Sequence, residues 1–381
     1  MKFILIGNYP PDRQESMKKF THMLNSGIQE AGLQSDIWLP VVLFSFFTKS
    51  TNAGIGKWLG YIDKWILFPI ILRWRLLNKN YNNQNVHFHV CDHSNSPYLK
   101  YLPNNRAGIT CHDVLAIRGA LGYPDAYCTA SRFGKILQNW ILHHLSRAKV
   151  LASVSHFTLR QLDELDTNKT NSSKNWCVIH NAFNDKFAPL DKQKVNALLK
   201  KAGLFDGVPY ILHVGSRLPR KNRKMLIDML DSLGDNWNGA VCFAGQALDK
   251  ELIDHAISLN LQKRIISIIK PDHETLVALY NGCEAFIFPS FSEGFGWPVI
   301  EAQACGTPVI ASDVDPMPEV SGGAALHANP NDPQAFANAF LSLKDEALKT
   351  KLIEKGFENI HRFTPASMIE SYLLLHGLKK T

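Results

Sequence analysis

Short apolar runs alternate with amphipathic helical stretches from one end of this chain to the other, and that alternation restricts the fold more than any other feature. It predicts an α/β fold of doubly wound domains, because parallel strands need a long crossover, usually a helix, between them. Lys2 to Gly7 reads as a first strand, and Ser16 to Ala31 as a helix with Met17, Phe20, Leu24 and Ile28 on one face and Gly32 as its C-terminal cap. Further strands are expected at 36–39, 86–91, 108–111, 149–154 and 176–179, with a helix at 133–145 before the fourth of these. From Asn184 to Gly207 the text turns polar. A second alternation then places strands at 209–214, 240–244, 265–269, 285–289 and 308–311, separated by helices at 224–233, 249–258, 274–280 and 298–305. A chain of 381 residues exceeds what one core usually serves. Two domains are therefore predicted, 1–190 and 205–362, with a separate amphipathic helix in 363–381 after the break at Phe363-Thr364-Pro365.

Composition supports a globular chain, with 45% apolar and 20% charged residues and no low-complexity tract. The seven cysteines are odd in number and scattered singly, a pattern of reduced thiols in a cytosolic protein. Met1 to Gly7 runs straight into a polar loop without a small-residue cleavage site, so it reads as a strand and not as an export signal. The formal charge of +7 is unevenly spread. Lys57, Lys64, Arg73, Arg75 and Lys79 lie between residues 54 and 80 against one acid, Asp63, and are interleaved with Trp58, Trp65 and Trp74. The apolar run from Trp65 to Leu72 is far shorter than the roughly 20 residues that span a bilayer, and Pro69 is expected to interrupt any helix through it. Two readings of 54–80 stand side by side: an element lying on an anionic membrane surface, or a helix packed into the first domain with its lysines snorkelling. No nucleic-acid partner is expected.

Ligands of open α/β sheets bind beyond the carboxyl ends of the strands, which is where the informative residues fall. The segment Phe288-Pro289-Ser290-Phe291-Ser292-Glu293-Gly294-Phe295-Gly296-Trp297-Pro298 leads from a strand through a glycine-containing loop into a helix that continues Val299-Ile300-Glu301. Pro298 suits a first helical position. The free amides of a helix's first turn favour an anion such as a diphosphate. Glu293 is placed in the loop and Glu301 in the first turn, both able to point into the sheet's mouth. Taken singly, Glu301 also reads as an acid complementing the helix dipole and Glu293 as a solvated turn residue. The other strand-to-helix loop, Val214-Gly215-Ser216-Arg217-Leu218-Pro219-Arg220-Lys221-Asn222, joins a small residue to several cations. Such cations can neutralise the charge that grows on a departing diphosphate.

The spacing of an acid, seven residues and a second acid, set within Pro-Ser-x-x-Glu-Gly-Phe-Gly and Glu-Ala-x-Ala-x-Gly-x-Pro-Val, resembles the signature of glycosyltransferase family 4. The resemblance covers nearly the full length and implies a GT-B architecture of two Rossmann-like domains facing a cleft. The first domain would receive the acceptor, the second would bind the nucleotide sugar, and a return helix would pack on the first domain. It implies that Glu293 contacts the transferred sugar's hydroxyls together with the loop amides of Gly294, Phe295 and Gly296, and that Glu301 holds the ribose. Gly215, Lys221 and an arginine would receive the phosphates. Arg217 and Arg220 compete for the arginine role, with Arg220 favoured by the Pro-Arg-Lys-Asn context. In the first domain, Ile109-Thr110-Cys111-His112-Asp113 resembles the family's histidine position. His112 would contact the donor sugar, while Asp113 would orient its imidazole or meet the acceptor hydroxyl. Residues 154–158 and 178–182 also match family strand-loop positions, whereas the loop at 8–16 lacks the glycines many members carry.

The implied activity is transfer of a sugar from a UDP- or GDP-sugar to a hydroxyl of a carbohydrate or lipid-linked saccharide, with retention at the anomeric carbon, in polysaccharide or glycolipid assembly. No cofactor and no metal are expected. Asp313-Val314-Asp315 resembles the metal motif of a different glycosyltransferase fold but has no companion ligands nearby in sequence, and His87, His89, Cys91 and His93 alternate as a buried strand would. The expected setting is the cytoplasm, against the inner face of the membrane. Alternatives are a GT-B epimerase or hydrolase acting on the nucleotide sugar alone, or a non-catalytic sugar-binding subunit. A nicotinamide-dependent dehydrogenase is disfavoured because no glycine fingerprint follows Ile6.

Overall fold

A computed structural model describes residues 1–48, 50–51, 54–169, 174–204 and 207–378. Residue 205, where the sequence reading begins the second domain, and residues 379–381 of the return segment lie outside the described residues. The chain divides into two compact units: 1–122 with 130–184 and 365–381, and 123–129 with 185–364.

The first unit is built on six strands, β1 (Lys2–Ile6), β2 (Gln34–Trp38), β3 (Val86–Val90), β4 (Ala107–Cys111), β5 (Val150–Ser153) and β6 (Asn175–Val178). All are parallel, in the order β2-β1-β3-β4-β5-β6. Its helices are α1 (Glu15–Glu30), α2 (Gly54–Ile62), α3 (Phe68–Leu76), α4 (Leu115–Leu121), α5 (Arg132–Leu145) and α6 (His156–Leu165). Strands covered on both faces are mostly apolar, and β3 and β4 are buried at every position, with His89 of β3 hydrogen-bonded to Thr110 of β4. Helix α1 turns Phe20, Leu24 and Ile28 inward, and serines start two later helices: Ser131 accepts the Gly134 amide at 3.1 Å and Ser155 that of Thr158 at 3.1 Å.

One expectation is overturned here. Pro69 does not interrupt the helical path: α2 continues into α3 through a π-helical turn, Asp63–Leu67. The Phe68 amide bonds the Asp63 carbonyl, five residues back. The wider turn comes just before Pro69, which falls in the first turn of α3, and the Lys64 carbonyl five residues back accepts the Tyr98 hydroxyl at 3.0 Å instead.

The second unit repeats the plan with β7 (Tyr210–Gly215), β8 (Ala240–Gly245), β9 (Ile265–Ile269), β10 (Ala285–Phe288), β11 (Val309–Ser312) and β12 (Leu326–Ala328), parallel in the order β12-β11-β10-β7-β8-β9. Helices α7 (Lys192–Lys201), α8 (Arg223–Leu233), α9 (Lys250–Ser258), α10 (His273–Gly282), α11 (Trp297–Ala304), α12 (Met317–Ser321), α13 (Pro333–Ser342) and α14 (Glu346–Asn359) accompany it. Aspartates start many of them: Asp191, Asp249, Asp272, Asp332 and Asp345 each accept an amide of the first turn. Residues 123–129 also belong to this unit, and Tyr127 stacks on Phe291 with ring centroids 4.8 Å apart.

Helix α15 (Pro365–Leu375) returns to the first unit. Ile369 packs against Gly27 of α1, and the Tyr372 hydroxyl meets Thr110 Oγ1 at 2.8 Å. His89 joins both partners, with Nε2 2.8 Å from Thr110 Oγ1 and Nδ1 3.0 Å from His376 Nε2. Burial, and secondarily His87, pushes the His376 imidazole from 6.5 down to about 3. Between those values the unfolded chain binds the proton and the folded chain does not. The stabilisation is therefore complete above pH 6.5 and is lost as pH falls toward 3. Urea titrations should show wild-type stability declining below pH 6.5. The expected slope approaches about 1.4 kcal/mol per pH unit for each such ring. His376→Asn, which cannot titrate, should give a shallower decline; an unchanged slope would exclude this ring as a source.

Candidate active site

Strand order determines which loops can meet. In the second sheet it reverses between β10 and β7, and at such a switch point the loops leaving two neighbouring strands diverge to opposite faces and open a crevice. The loop after β7 carries Gly215, Arg217, Arg220 and Lys221; the loop after β10 carries Glu293 to Gly296. Backbone and side-chain hydrogen bonds hold the two together. The Phe291 amide donates to the Arg220 carbonyl at 2.8 Å, and Asn222 Nδ2 donates to the carbonyls of Pro289 at 3.2 Å and Pro330 at 2.7 Å.

The side chains converge on one carboxylate. Glu293 Oε2 accepts from Arg220 Nη1 at 2.6 Å and Oε1 from Lys221 Nζ at 2.6 Å, while Arg220 Nη1 also donates to the Ser292 carbonyl at 2.9 Å. Glu293 is buried, which by itself raises a carboxyl's pKa, but the facing Lys221 and Arg220 outweigh burial and hold it below the usual carboxylate range. Burial pushes the Lys221 ammonium down, a shift opposed by Glu293 and reinforced by Arg220. Lys221 Nζ lies 4.9 Å from the centre of the Phe288 ring. Two cations and one anion leave a net single positive charge at the head of a sheet, an arrangement that an incoming diphosphate would complete.

Glycine is required at two places in this frame. Gly296 has φ +105°, and a Cβ there would meet Met317 Cε at 2.6 Å; a Cβ on Gly215 would approach His213 Nε2 to 2.9 Å. Gly294 lies between Glu293 and Phe295, and Phe295 is buried against Trp297 and Phe363.

Of the two competing arginines, it is Arg220 that shares Glu293 with Lys221. Arg217 is exposed, with its amide bonded to Gln246 Oε1 at 2.9 Å. Glu301 differs from expectation: α11 begins at Trp297, one residue before Pro298, so Glu301 falls in its second turn and not its first. Its carboxylate is buried and accepts the Tyr280 hydroxyl at 2.8 Å.

In the first unit the sheet order reverses between β1 and β3. Asn8 follows β1 and Asp92 follows β3, and Asn8 Nδ2 donates to Asp92 Oδ2 across that point. Asp92 is buried yet held low. Burial raises its pKa, but His93, His112 and the hydrogen bonds from Asn8 and Ser94 prevail. His112 follows β4 with Nε2 2.9 Å from the Cys91 carbonyl and its ring edge-on to Phe20 at 4.6 Å. Burial lowers its pKa against the pull of Asp92, and Nε2 donates to the Cys91 carbonyl. The imidazole is thus oriented by a backbone carbonyl where Asp113 was expected. Asp113 Oδ1 instead accepts the Leu115 amide at 3.0 Å at the start of α4. Sequence reasoning missed Asn8 and Asp92. The available signal was their place immediately after two apolar strands, but Asp92 was hidden within a histidine alternation weighed only for metal. In that alternation His87 and His89 are buried on β3, and among the described residues no three His, Cys, Asp or Glu side chains gather as a metal site.

Comparison with known proteins gives this geometry a class. Residues 195–359 match the family model described as glycosyl transferases group 1. The O-antigen chain mannosyltransferase RfbU of Salmonella typhimurium is 27% identical over 281 residues, covering 74% of this chain and 70% of that protein. Among solved structures, sucrose-phosphate synthase from Thermosynechococcus elongatus superposes with a TM-score of 0.73 at 20% identity, covering 99% of this chain and 98% of that one. Anabaena HepE in complex with UDP and glucose does so with a TM-score of 0.71 at 15% identity, covering 98% of each chain. The fold is GT-B. Within the second unit, residues 195–359 are the part similar to glycosyl transferases group 1.

Glu293 pairs with both Arg220 and Lys221, so a diphosphate drawn to these cations would compete with it. Calorimetry with UDP and GDP should therefore find Glu293→Gln binding the better of the two nucleotides about tenfold more tightly than wild type, roughly 1.4 kcal/mol. Equal or weaker binding would mean that the carboxylate does not compete for the phosphate site.

Proposed function

We propose that this enzyme moves a sugar from a nucleoside diphosphate donor to an acceptor hydroxyl with retention at the anomeric carbon, by family 4 chemistry and without a metal. The observation that carries the reading is the convergence of Arg220 and Lys221 on Glu293 at the switch point of the second sheet. The second unit binds the donor and the first, with Asn8, Asp92 and His112 at the head of its sheet, receives the acceptor.

The acceptor oxygen bonds to the anomeric carbon on the face the diphosphate leaves, while the bond between that carbon and the phosphate oxygen breaks. The acceptor's proton passes to a phosphate oxygen, so no protein nucleophile enters the balance. Lys221 and Arg220 stabilise the negative charge accumulating on the diphosphate, where fixed cations in a water-poor site act most strongly. Glu293, once released from them, accepts from the sugar's hydroxyls beside the amides of Gly294, Phe295 and Gly296. Glu301 takes the ribose hydroxyls, and His112 contacts the sugar.

Relatives named as O-antigen chain mannosyltransferases support mannose as the transferred sugar and a growing polysaccharide, free or lipid-linked, as the acceptor. HepE is seen with UDP and with UDP-glucose, which keeps a uridine donor in the comparison. The setting is the cytoplasm, at the inner face of the membrane.

A thermal-shift panel of UDP- and GDP-sugars identifies the donor, since a ligand at a hundred times its dissociation constant stabilises by about 2.7 kcal/mol. With that donor, Lys221→Ala should lower turnover about a hundredfold or more, activity should survive EDTA, and the product's anomeric proton should show retention by NMR. Near-normal turnover in Lys221→Ala removes the assigned role. Donor consumption without any acceptor would make the protein an epimerase or hydrolase instead.

A further inference from the structure

Helices α2 and α3, joined by the π-helical turn, form one stretch over residues 54–76, at 1.5 Å per residue about 35 Å long. One side of it is sealed in the first unit by Gly60, Asp63, Phe68 and Leu72. On the other side Ile55, Trp58, Ile66, Ile70, Trp74 and Leu77 recur every three, four or eight residues and are exposed by 53% to 80%. Scattered exposed apolar residues are ordinary, but a continuous stripe of them is not. Phe133 of α5 extends it by packing on Trp58 at 4.8 Å.

A second apolar feature adjoins this stretch. The loop after β2 ends in Phe46 and Phe47, the latter 93% exposed. A loose loop would fold such rings away, yet this one is fixed from below. Asp63, fully buried in the π-helical turn, accepts the Leu43, Phe44 and Ser45 amides at 3.2, 2.9 and 3.1 Å, and the Tyr9 hydroxyl at 2.5 Å. The widened turn ahead of Pro69 thus supplies the carboxylate that holds the aromatic tip in place.

Charge identifies the occupant. Asp63 is the one acid in residues 39–80, and it is sealed. Not every basic residue of the segment is available: Lys64 Nζ is paired with Asp12 at 2.8 Å, and Arg75 lies over Trp38 at 4.6 Å. Arg73, exposed although its guanidinium lies over Tyr101 at 4.9 Å, and Lys79 edge one end of the stripe, and Arg132 and Lys135 are exposed at the start of α5. An apolar face free of acids, bearing tryptophans and edged with cations suits the headgroup and acyl boundary of an anionic bilayer, where a helix lies flat. A protein partner would ordinarily meet polar groups of both signs at the rim. Among the described residues no helix is long and apolar enough to cross a membrane.

We propose that the outward stripe of α2 and α3, together with the Phe46–Phe47 tip, is the surface by which the first unit docks on an anionic lipid bilayer. This deepens the membrane setting proposed above by naming the residues that enter it, and it stands apart from the transfer chemistry.

Vesicle flotation tests it, using phosphatidylcholine with and without phosphatidylglycerol. Wild type should float with the anionic vesicles and lose binding in high salt. Ile70→Ser with Trp74→Ser, and separately Phe46→Ser with Phe47→Ser, should each weaken binding at least tenfold while thermal melting and turnover on a water-soluble acceptor stay at wild-type values. Arg73→Gln with Lys79→Gln should weaken binding to anionic vesicles alone. The proposal fails if wild type ignores the vesicles, if the serine variants bind as well as wild type, or if wild type is a dimer in solution that those variants dissociate. Because turnover is read on a soluble acceptor, loss of transfer and loss of docking are separately visible.

Discussion

The adjacency of β7 and β10 is the constraint on which the second unit's candidate site depends. Nothing in the spacing of residues 220 and 293 brings them together; the reversal of strand order does. Two strands far apart in sequence lie side by side, and the loops leaving them share hydrogen bonds before any side chain is considered. The first sheet repeats the device with β1 and β3, where Asn8 and Asp92 bond across the reversal. Each unit therefore concentrates buried polar chemistry at the one point in its sheet where backbone geometry leaves room for a ligand.

Electrostatics then decides what that room can hold. A buried carboxylate is tolerable when it is paired, and Glu293 is paired twice. The same contacts that stabilise the folded loop are contacts a phosphate would displace, so stability and ligand recognition draw on one set of charges. Asp92 is a different solution to the same problem. Its charge is sustained by nearby histidines and by amide and carboxamide donors, which keep it ionised without an adjacent lysine or arginine.

Much of this architecture was legible in the sequence because strands covered on both faces are mostly apolar, and because glycine and proline punctuate the loops between them. The eleven strand segments read from the sequence each overlap a strand, with ends displaced by a residue or two. What escaped was structure whose signal is tertiary. β12, α13 and α14 lie in 326–359, where a three-residue strand and two helices offer little local periodicity of their own. Pro69 was misread because proline forbids a hydrogen bond to one particular carbonyl, not the helical path itself, and the π-helical turn just before it reroutes the bonding. In the site, Glu293, Lys221 and Arg220 were legible as motif residues, whereas their mutual pairing was not: ion pairs between loops are set by strand order. Of the two roles read for Asp113, orienting the His112 imidazole falls to the Cys91 carbonyl instead, for the complementary reason. Adjacency to His112 in sequence suggested contact, but a residue just ahead of a helix finds the helix's own amides first.

Helix α15 has a consequence for biosynthesis. Residues 365–375 complete the first unit's core through Ile369, Tyr372 and the histidine pair they bring into register, yet they leave the ribosome only after all of the second unit. Domains usually mature in the order they are translated. Here the half made first stays open until the second has been made, and the half made second can close without waiting for it.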